Sequence, residues 1–288
     1  MTKDVSEKRS EATKESLKEA WCTTGKRFRL GNTPYLTARP LVYGLDALPN
    51  TEVIRGAPSD LRRMLIGGEV DAAVLPSTDL PSFGERLSVL PVGCLAASGP
   101  TLMAKIFSQV RPEKLTLLWA DRQSHSTAAL VGVLWHQLYH RNLSIIPYDP
   151  RHDRLPRDAE SALLIGDQVV VNPPMGYDWH IDPVVMWHEM TGLPFVFGVW
   201  ATVRDDLRDG LYACLRDARR DGQKHLRDIA EQYAPAYHWP VDLALRCLDK
   251  EMQYEFTDAC REGLNEFLEL AAEAGLVDSP DPPVYYKP

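Results

Sequence analysis

The sequence predicts an α/β protein built around parallel strands. Between Lys26 and about Trp200, short apolar strands alternate with helical segments, the order in which helices cover a parallel sheet. After Trp200 the strand signal fades, and leucines that recur four residues apart indicate helices. A chain of 288 residues is long enough for one large domain or for two lobes.

Turn and cap signals bound the individual elements of this prediction. Pro40 suits the first turn of a helix, and Pro58-Ser59 opens another helix that Gly67-Gly68 ends. The predicted strands are 27–31, 52–55, 71–75, 87–96, 101–107, 115–119, 143–147 and 162–165. Helices are predicted from about 39 to 48, from 58 to the two glycines, and from about 128 to 139.

The composition is typical of a globular protein with a full core, being 44% hydrophobic and 25% charged. The formal net charge of -8 argues against nucleic acid or an anionic membrane as a partner. An anionic ligand would need hydrogen-bond donors close to it. No apolar run approaches the roughly 20 residues that a membrane span requires.

The N-terminal segment and the cysteines predict a cytoplasmic protein. Residues 1–24 are dense in Lys, Glu and Ser and lack the apolar region of a secretory signal, so we expect a mobile tail there. The five cysteines are odd in number and form no C-x-x-C pair, which predicts reduced thiols rather than a disulfide framework.

Small hydroxyl residues follow three of the predicted strands. They are Thr33 and Thr37, then Ser77 and Thr78, and then Ser124, Ser126 and Thr127. Loops at the carboxyl ends of parallel strands converge on one crevice, where helix N-termini with small residues can bind a carboxylate or phosphate. Ser and Thr also cap helices throughout proteins. The sequence leaves both interpretations open, a shared anion site and plain capping.

Familiar catalytic and metal-binding signatures are missing from the sequence. It has no dinucleotide fingerprint, no P-loop, no nucleophile elbow and no H-E-x-x-H. His136 and His140 lie four residues apart but have no third ligand nearby, and His180 and His188 show no metal-ligand spacing. We therefore predict neither a metal site nor a cofactor.

Six strings resemble, in order, motifs of the chorismate dehydratases of the futalosine route to menaquinone. They are GNTPYLTARPL at 31–41, GEVDAAVLPS at 68–77, Gly99-Pro100 with Ile106-Phe107-Ser108, SHST at 124–127, LIGD at 164–167, and TGLPFVF at 191–197 with Trp200. The resemblance runs from about Arg27 to Leu276. It implies a type II periplasmic-binding-protein-like fold of two lobes with a ligand cleft between them. Lobe one would be 25–100 plus 200–288, and lobe two 101–199.

The resemblance also implies a reaction: removal of water from chorismate, a dianion, to give 3-[(1-carboxyvinyl)oxy]benzoate. The enzyme would need no cofactor or metal and would be a monomer or homodimer. The resemblance and the hydroxyl turns together suggest catalytic roles for Tyr35, Thr37 and Asp167. Substrate-binding roles are suggested for Ser77, Gly99, Met103, Ser124, His125, Ser126 and Thr127. No residue stands out as the general base, and the substrate's own carboxylate is one candidate.

Four positions depart from the family's pattern. Pro34 stands in place of Ser, Thr37 in place of Asn, Met103 in place of Ser, and His125 in place of Arg. A threonine hydroxyl can still donate a hydrogen bond, whereas a thioether has no donor. Two alternatives to chorismate dehydration therefore stay open: a paralogue that binds a related anion without turnover, and a family enzyme with another substrate.

Overall fold

The computed structural model describes residues 27–279 and 281–288, so the predicted tail lies outside the described residues. The strands are β1 (Phe28–Asn32), β2 (Thr51–Arg55), β3 (Ala72–Pro76), β4 (Ser88–Ala97), β5 (Ala104–Ser108), β6 (Leu117–Asp121), β7 (Ser144–Tyr148), β8 (Ser161–Ile165), β9 (Trp179–Ile181), β10 (Phe195–Thr202) and β11 (Val284–Tyr285). The helices are α1 (Pro58–Ile66), α2 (His125–Tyr139), α3 (Gln168–Val171), α4 (Pro183–Thr191), α5 (Arg208–Lys224), α6 (Leu226–Tyr233), α7 (Val241–Arg246) and α8 (Asp258–Glu273). Among the described residues no helix has both the length and the apolar character needed to cross a membrane.

The strands form two mixed sheets, which confirms the α/β class. The first sheet has the order β11-β4-β10-β3-β1-β2, and the second has the order β7-β6-β8-β5-β9. Parallel pairing, as the sequence predicted, joins β2 to β1 and β1 to β3 in the first sheet, and β7 to β6 and β6 to β8 in the second. The strand that follows each crossing between the sheets, β5 or β10, instead pairs antiparallel with its neighbours.

The chain passes between the sheets twice. It leaves the first sheet at the end of β4 and returns on β10, and these two strands are antiparallel neighbours with Phe195 opposite Ala97. Both connections therefore start from one end of the first sheet. On this basis we propose a division into two lobes, with 25–100 plus 200–288 in one and 101–199 in the other. The sheets differ from this division in one detail. Residues 195–199 fall in lobe two by sequence, but they belong to β10 of the first sheet.

One continuous apolar core connects the two sheets. Its largest cluster of buried side chains contains Leu75 and Val89 from the first sheet and Ile106 and Leu163 from the second. Helix α2 lies within this cluster and contributes Trp135, which is fully buried. A second cluster fills the space between the first sheet and helices α5 to α7. Helix α2 therefore packs against side chains of both sheets.

The helix predicted over 39–48 is wrong. The structure has two short 3-10 turns in its place, Leu36–Val42 and Leu45–Ala47. Pro40 falls inside the first turn rather than at its start, where its missing N–H removes a backbone hydrogen bond that a longer helix would need. The first turn nevertheless buries Leu36, Thr37 and most of its other side chains against the first sheet.

The fold predicts the effect of a mutation where α5 crosses the first 3-10 turn. A Cβ at Gly222 would overlap the backbone carbonyl of Pro40. We expect Gly222→Ala to destabilise the protein by about 1–3 kcal/mol, because neither backbone can yield without repacking the second cluster. Urea unfolding measures the difference, with Arg220→Ala on the exposed face of the same helix as control. Unchanged or increased stability, the usual result of Gly→Ala inside a helix, would contradict this packing.

Candidate functional site

A cavity that is partly open to solvent lies where the strand ends of the two sheets face each other. Residues after β1 and at the end of β3 form one side, and residues after β6 and β8 form the other. Six of the residues suggested by the sequence line it. They are Tyr35, Met103, Ser124, His125, Ser126 and Thr127. The carboxyl ends of strands in both sheets therefore converge on one cleft.

The other four suggested residues do not line the cavity. Ser77 directs its hydroxyl away from the cleft, where it donates a hydrogen bond to the Val196 carbonyl. Gly99 lies in the connection between β4 and β5. Thr37 is buried in the first 3-10 turn, and Asp167 lies behind Gly166. In place of Ser77 and Asp167, their preceding neighbours Pro76 and Gly166 line the cavity.

The cavity also contains residues that the sequence reasoning missed. Gln123 and Phe197 both line it. Each lies within or beside a string that carried the family resemblance, so position in the motif was an available signal. Asp79, which hydrogen-bonds a lining residue, follows Ser77 by two positions. Nothing local in the sequence indicates that its partner is 46 residues away.

Four hydroxyl groups at or near the cleft make no capping hydrogen bond. Ser124 occupies the N-cap position of α2, but its side chain makes no capping hydrogen bond. The buried hydroxyls of Thr33, Thr37, Ser124 and Ser126 have no hydrogen-bond partner among the described residues. A capping role requires an N–H bound to the hydroxyl, and a buried polar atom without a partner costs about 1–3 kcal/mol. Capping hydrogen bonds therefore do not account for these four hydroxyls.

The N-terminus of α2 supplies further donors. This helix of 15 residues begins at His125, and its first turn, His125 to Thr127, lines the cavity. The first N–H groups of a helix have no intrahelical partner, and the aligned peptide dipoles give this end a partial positive charge. The residues therefore form a site suited to a carboxylate or phosphate group.

Tyr35 links the two sides of the cleft. Its hydroxyl donates a hydrogen bond to the Gln123 side chain at 3.0 Å, and its ring covers Gly166, where a Cβ would come within 2.7 Å of the ring. Burial, aided by the nearby carboxylate of Asp121, raises the pKa of the Tyr35 phenol, so the group stays protonated. Tyr35 can therefore serve as a neutral donor at the cleft.

Asp167 is a buried carboxyl that titrates near neutral pH. Burial raises its pKa to about 6, although the Trp239 indole and the Leu36 N–H favour the charged form and offset part of the shift. One of its oxygens, Oδ1, has no hydrogen-bond partner among the described residues. The chemistry of this carboxyl is proton donation or acceptance close to physiological pH.

His125 is the one basic side chain among the described residues that line the cavity. Its Nδ1 lies 3.1 Å from the Asp79 carboxylate. This hydrogen bond raises the pKa of His125, while burial and Arg62 act in the opposite direction. The described residues form no cluster of three His, Cys, Asp or Glu side chains that could hold a metal ion.

Comparison with known proteins places this architecture in the class of periplasmic-binding-protein-like folds. A protein from Archaeoglobus fulgidus superposes with a TM-score of 0.72 at 14% identity, covering 88% of this chain and 100% of its own. A Candida albicans protein described as having the generic periplasmic-binding-protein fold superposes with a TM-score of 0.55 at 15% identity, covering 89% of this chain and 92% of its own. The fold that the motif resemblance implied is therefore confirmed.

The chain belongs to the menaquinone biosynthesis family, whose sequence profile matches residues 28–273. It is 28% identical to a protein of Thermus thermophilus named chorismate dehydratase, over 264 residues that make up 83% of this chain and 93% of that protein. The family that the six motifs indicated is thus confirmed over most of the described residues.

The buried carboxyl of Asp167 predicts a specific pH dependence of stability. Because the pKa in the folded state is raised, the folded protein holds this proton more tightly than the unfolded chain between about pH 4 and 6. Ionisation therefore costs folding free energy as pH rises through that window. We expect the wild type to lose up to about 3 kcal/mol of stability relative to Asp167→Asn between these limits.

Urea unfolding of both proteins at several pH values measures this difference. The exposed Asp158→Asn serves as the matched control, because it removes the same charge outside the core. If the wild type and Asp167→Asn keep a constant difference in unfolding free energy across the window, Asp167 does not titrate as described.

Proposed function

We propose that this protein is a chorismate dehydratase, which converts chorismate to 3-[(1-carboxyvinyl)oxy]benzoate and water in menaquinone biosynthesis. Its relative from Thermus thermophilus carries that name. The observation that carries the proposal is the cavity at the N-terminus of α2, where the free hydroxyls of Ser124 and Ser126 lie beside His125. This cavity offers donors and partial positive charge to a small dianion.

In this proposal the first turn of α2 binds a carboxylate of chorismate. The backbone N–H groups of Ser126 and Thr127 and the hydroxyls of Ser124 and Ser126 are the donors. Met103 and Phe197 give the cavity an apolar wall for the ring. Ser77 and Gly99 do not line this cavity, and the hydroxyl of Ser77 is bound to the Val196 carbonyl, so neither is assigned a contact with the substrate.

Tyr35, Thr37 and Asp167 are proposed to act on the leaving hydroxyl. Tyr35 lines the cavity and so is the one within direct reach, while Thr37 and Asp167 lie behind it with unpartnered buried oxygens. The reaction removes the hydroxyl and a ring proton, which amounts to one water overall, and the ring becomes aromatic. In the proposed step the departing water takes its second hydrogen from Asp167, which regains a proton from solvent before the next turnover. A protonated Asp167 is a suitable source for the proton that the hydroxyl needs. The substrate's own carboxylate is the proposed acceptor of the ring proton.

The proposal extends to partners and location. The ligand is a small dianionic molecule, and neither nucleic acid nor a membrane is a proposed partner, in keeping with the net charge of -8. The protein is proposed to act in the cytoplasm as a monomer or homodimer. The biosynthetic role of the family supports this location.

Incubation of the purified protein with chorismate tests the proposal directly. We expect chorismate to be consumed with loss of one water, and mass spectrometry identifies the aromatic product. A catalytically altered paralogue is the second candidate, and the thioether of Met103 in the cavity favours it, because this side chain cannot donate. Chorismate that binds in calorimetry but stays unchanged would identify a paralogue without turnover. Absence of both binding and turnover would contradict chorismate dehydration and leave the paralogue that binds a related anion.

Two of the four departures from the family pattern, Thr37 and Met103, predict the outcome of restoring the family residues. We expect Thr37→Asn with Met103→Ser to raise kcat by up to about 10²-fold, because one aligned donor in a transition state is worth about that much. KM should change little, since the added donor acts on the leaving hydroxyl rather than on the bound carboxylates.

Steady-state kinetics of the double variant and both single variants checks this expectation. Met103 is buried, so Met103→Ser also removes apolar contacts, and thermal unfolding must show that each variant is folded at the assay temperature. Met103→Leu is the matched control, because it preserves the volume without adding a donor. Equal rates in the double variant and Met103→Leu would contradict the proposed role.

A further inference from the structure

A hydrogen bond between Asp79 and His125 crosses the cleft. Asp79 ends the 3-10 turn Ser77–Asp79 that follows β3 of the first sheet, and His125 begins α2 after β6 of the second. Their side chains meet with Asp79 Oδ1 at 3.1 Å from His125 Nδ1. The pair therefore joins the two sides of the cleft at the point where α2 presents its N-terminus.

The carboxylate of Asp79 is built into the protein rather than exposed at its surface. Its side chain is 9% exposed, whereas that of His125 is 35% exposed and lines the cavity. The second oxygen of Asp79, Oδ2, is buried without a hydrogen-bond partner among the described residues. Because Oδ1 of Asp79 is hydrogen-bonded to Nδ1 of the imidazole, Nε2 is the ring nitrogen available to a ligand.

The protonation state of His125 decides what Nε2 can do. With both nitrogens protonated, Nδ1 donates to Asp79 and Nε2 donates to an anion. With one proton, held at Nδ1 by Asp79, Nε2 becomes an acceptor and faces a carboxylate with a lone pair. Asp79 and Arg62 are the charged groups that act on His125, and the hydrogen bond to Asp79 raises its pKa. The cavity is otherwise lined, within the described residues, by uncharged side chains.

We propose that Asp79 is a positioning residue that holds the His125 imidazolium across the cleft, so that Nε2–H donates to a carboxylate of the bound substrate. This inference rests on the proposed function for the identity of the substrate. His125 stands where the family pattern has Arg, so a side chain that titrates replaces one that is permanently charged. Tight binding of the dianion then requires the protonated form of His125.

The pH dependence of KM follows from this arrangement. His125 is protonated below its raised pKa and donates to the substrate there, and this contact is lost as pH rises through that pKa. KM for chorismate should therefore rise on the alkaline side as His125 loses its proton, whereas a fall in kcat above about pH 6 belongs to Asp167. Asp79→Asn should raise KM at pH 7 by about tenfold and move the rise to lower pH, because the amide does not stabilise the imidazolium. Asp79→Glu should recover part of the effect.

Kinetic pH profiles and the NMR titration of His125 test the proposal together. Glu85→Gln removes an exposed carboxylate from the neighbouring turn and is the matched control, with wild-type profiles expected. His125→Arg leaves Asp79 intact and should give a KM that no longer varies with pH between about 6 and 8, since arginine stays charged. This variant keeps the test decisive if Asp79→Asn does not fold.

Three results would overturn the inference. The first is a pH profile of KM in folded Asp79→Asn that equals that of the wild type. The second is an unchanged titration of the His125 imidazole in that variant. The third is a wild-type kcat/KM that rises with pH through the His125 titration, because that would identify His125 as a general base. Failure of the proposed function is a different result, because it is seen in the wild type as chorismate neither bound nor consumed. The NMR titration still measures the Asp79–His125 pair in that case.

Discussion

Burial of helix α2 between the two sheets is the constraint on which the rest of the site depends. Leu130, Leu134 and Trp135 are fully buried in a cluster that also contains side chains of both sheets. Each such side chain is worth about 1.5–3 kcal/mol relative to an exposed one. The helix is therefore fixed along its length, and its N-terminal turn is fixed at the cleft. The donors of the site do not need a flexible loop to position them.

This rigid placement leaves polar groups at the cleft that fold stability alone does not explain. The hydroxyls of Ser124 and Ser126 and the Oδ1 atom of Asp167 are buried and unpartnered. Each costs about 1–3 kcal/mol in the absence of a partner, which is a large fraction of the stability of a typical domain. Ser124 and Ser126 line the cavity, and Asp167 follows the lining residue Gly166, so the proposed function gives all three groups a use.

The sequence predicted the strands, the class of fold and the turn around Ser124 because those features are local. Alternating apolar strands and helices identify a parallel arrangement, and the SHST string lies directly after a strand. Side-chain direction is not local. Ser77 and Asp167 are each one residue away from a lining residue, and their side chains point elsewhere, which only the packing of β3 and β8 decides. The Asp79–His125 pair needs the two sheets to be assembled before it exists.

The net charge of -8 repels an anionic ligand. The strength of this repulsion, and of the attraction by local donors, depends on the distance of each charge from the ligand. Surface carboxylates act through water and are screened over roughly 8–10 Å at physiological salt. The N-terminus of α2 and the imidazole of His125 act at contact distance inside a partly closed cavity, where the effective dielectric is lower and a charge interaction is several times stronger. The hydrogen bond to Asp79 raises the pKa of that imidazole and so favours its charged form. In the proposed function the local donors therefore outweigh the overall charge, so recognition of the dianion depends on a few groups at the cleft.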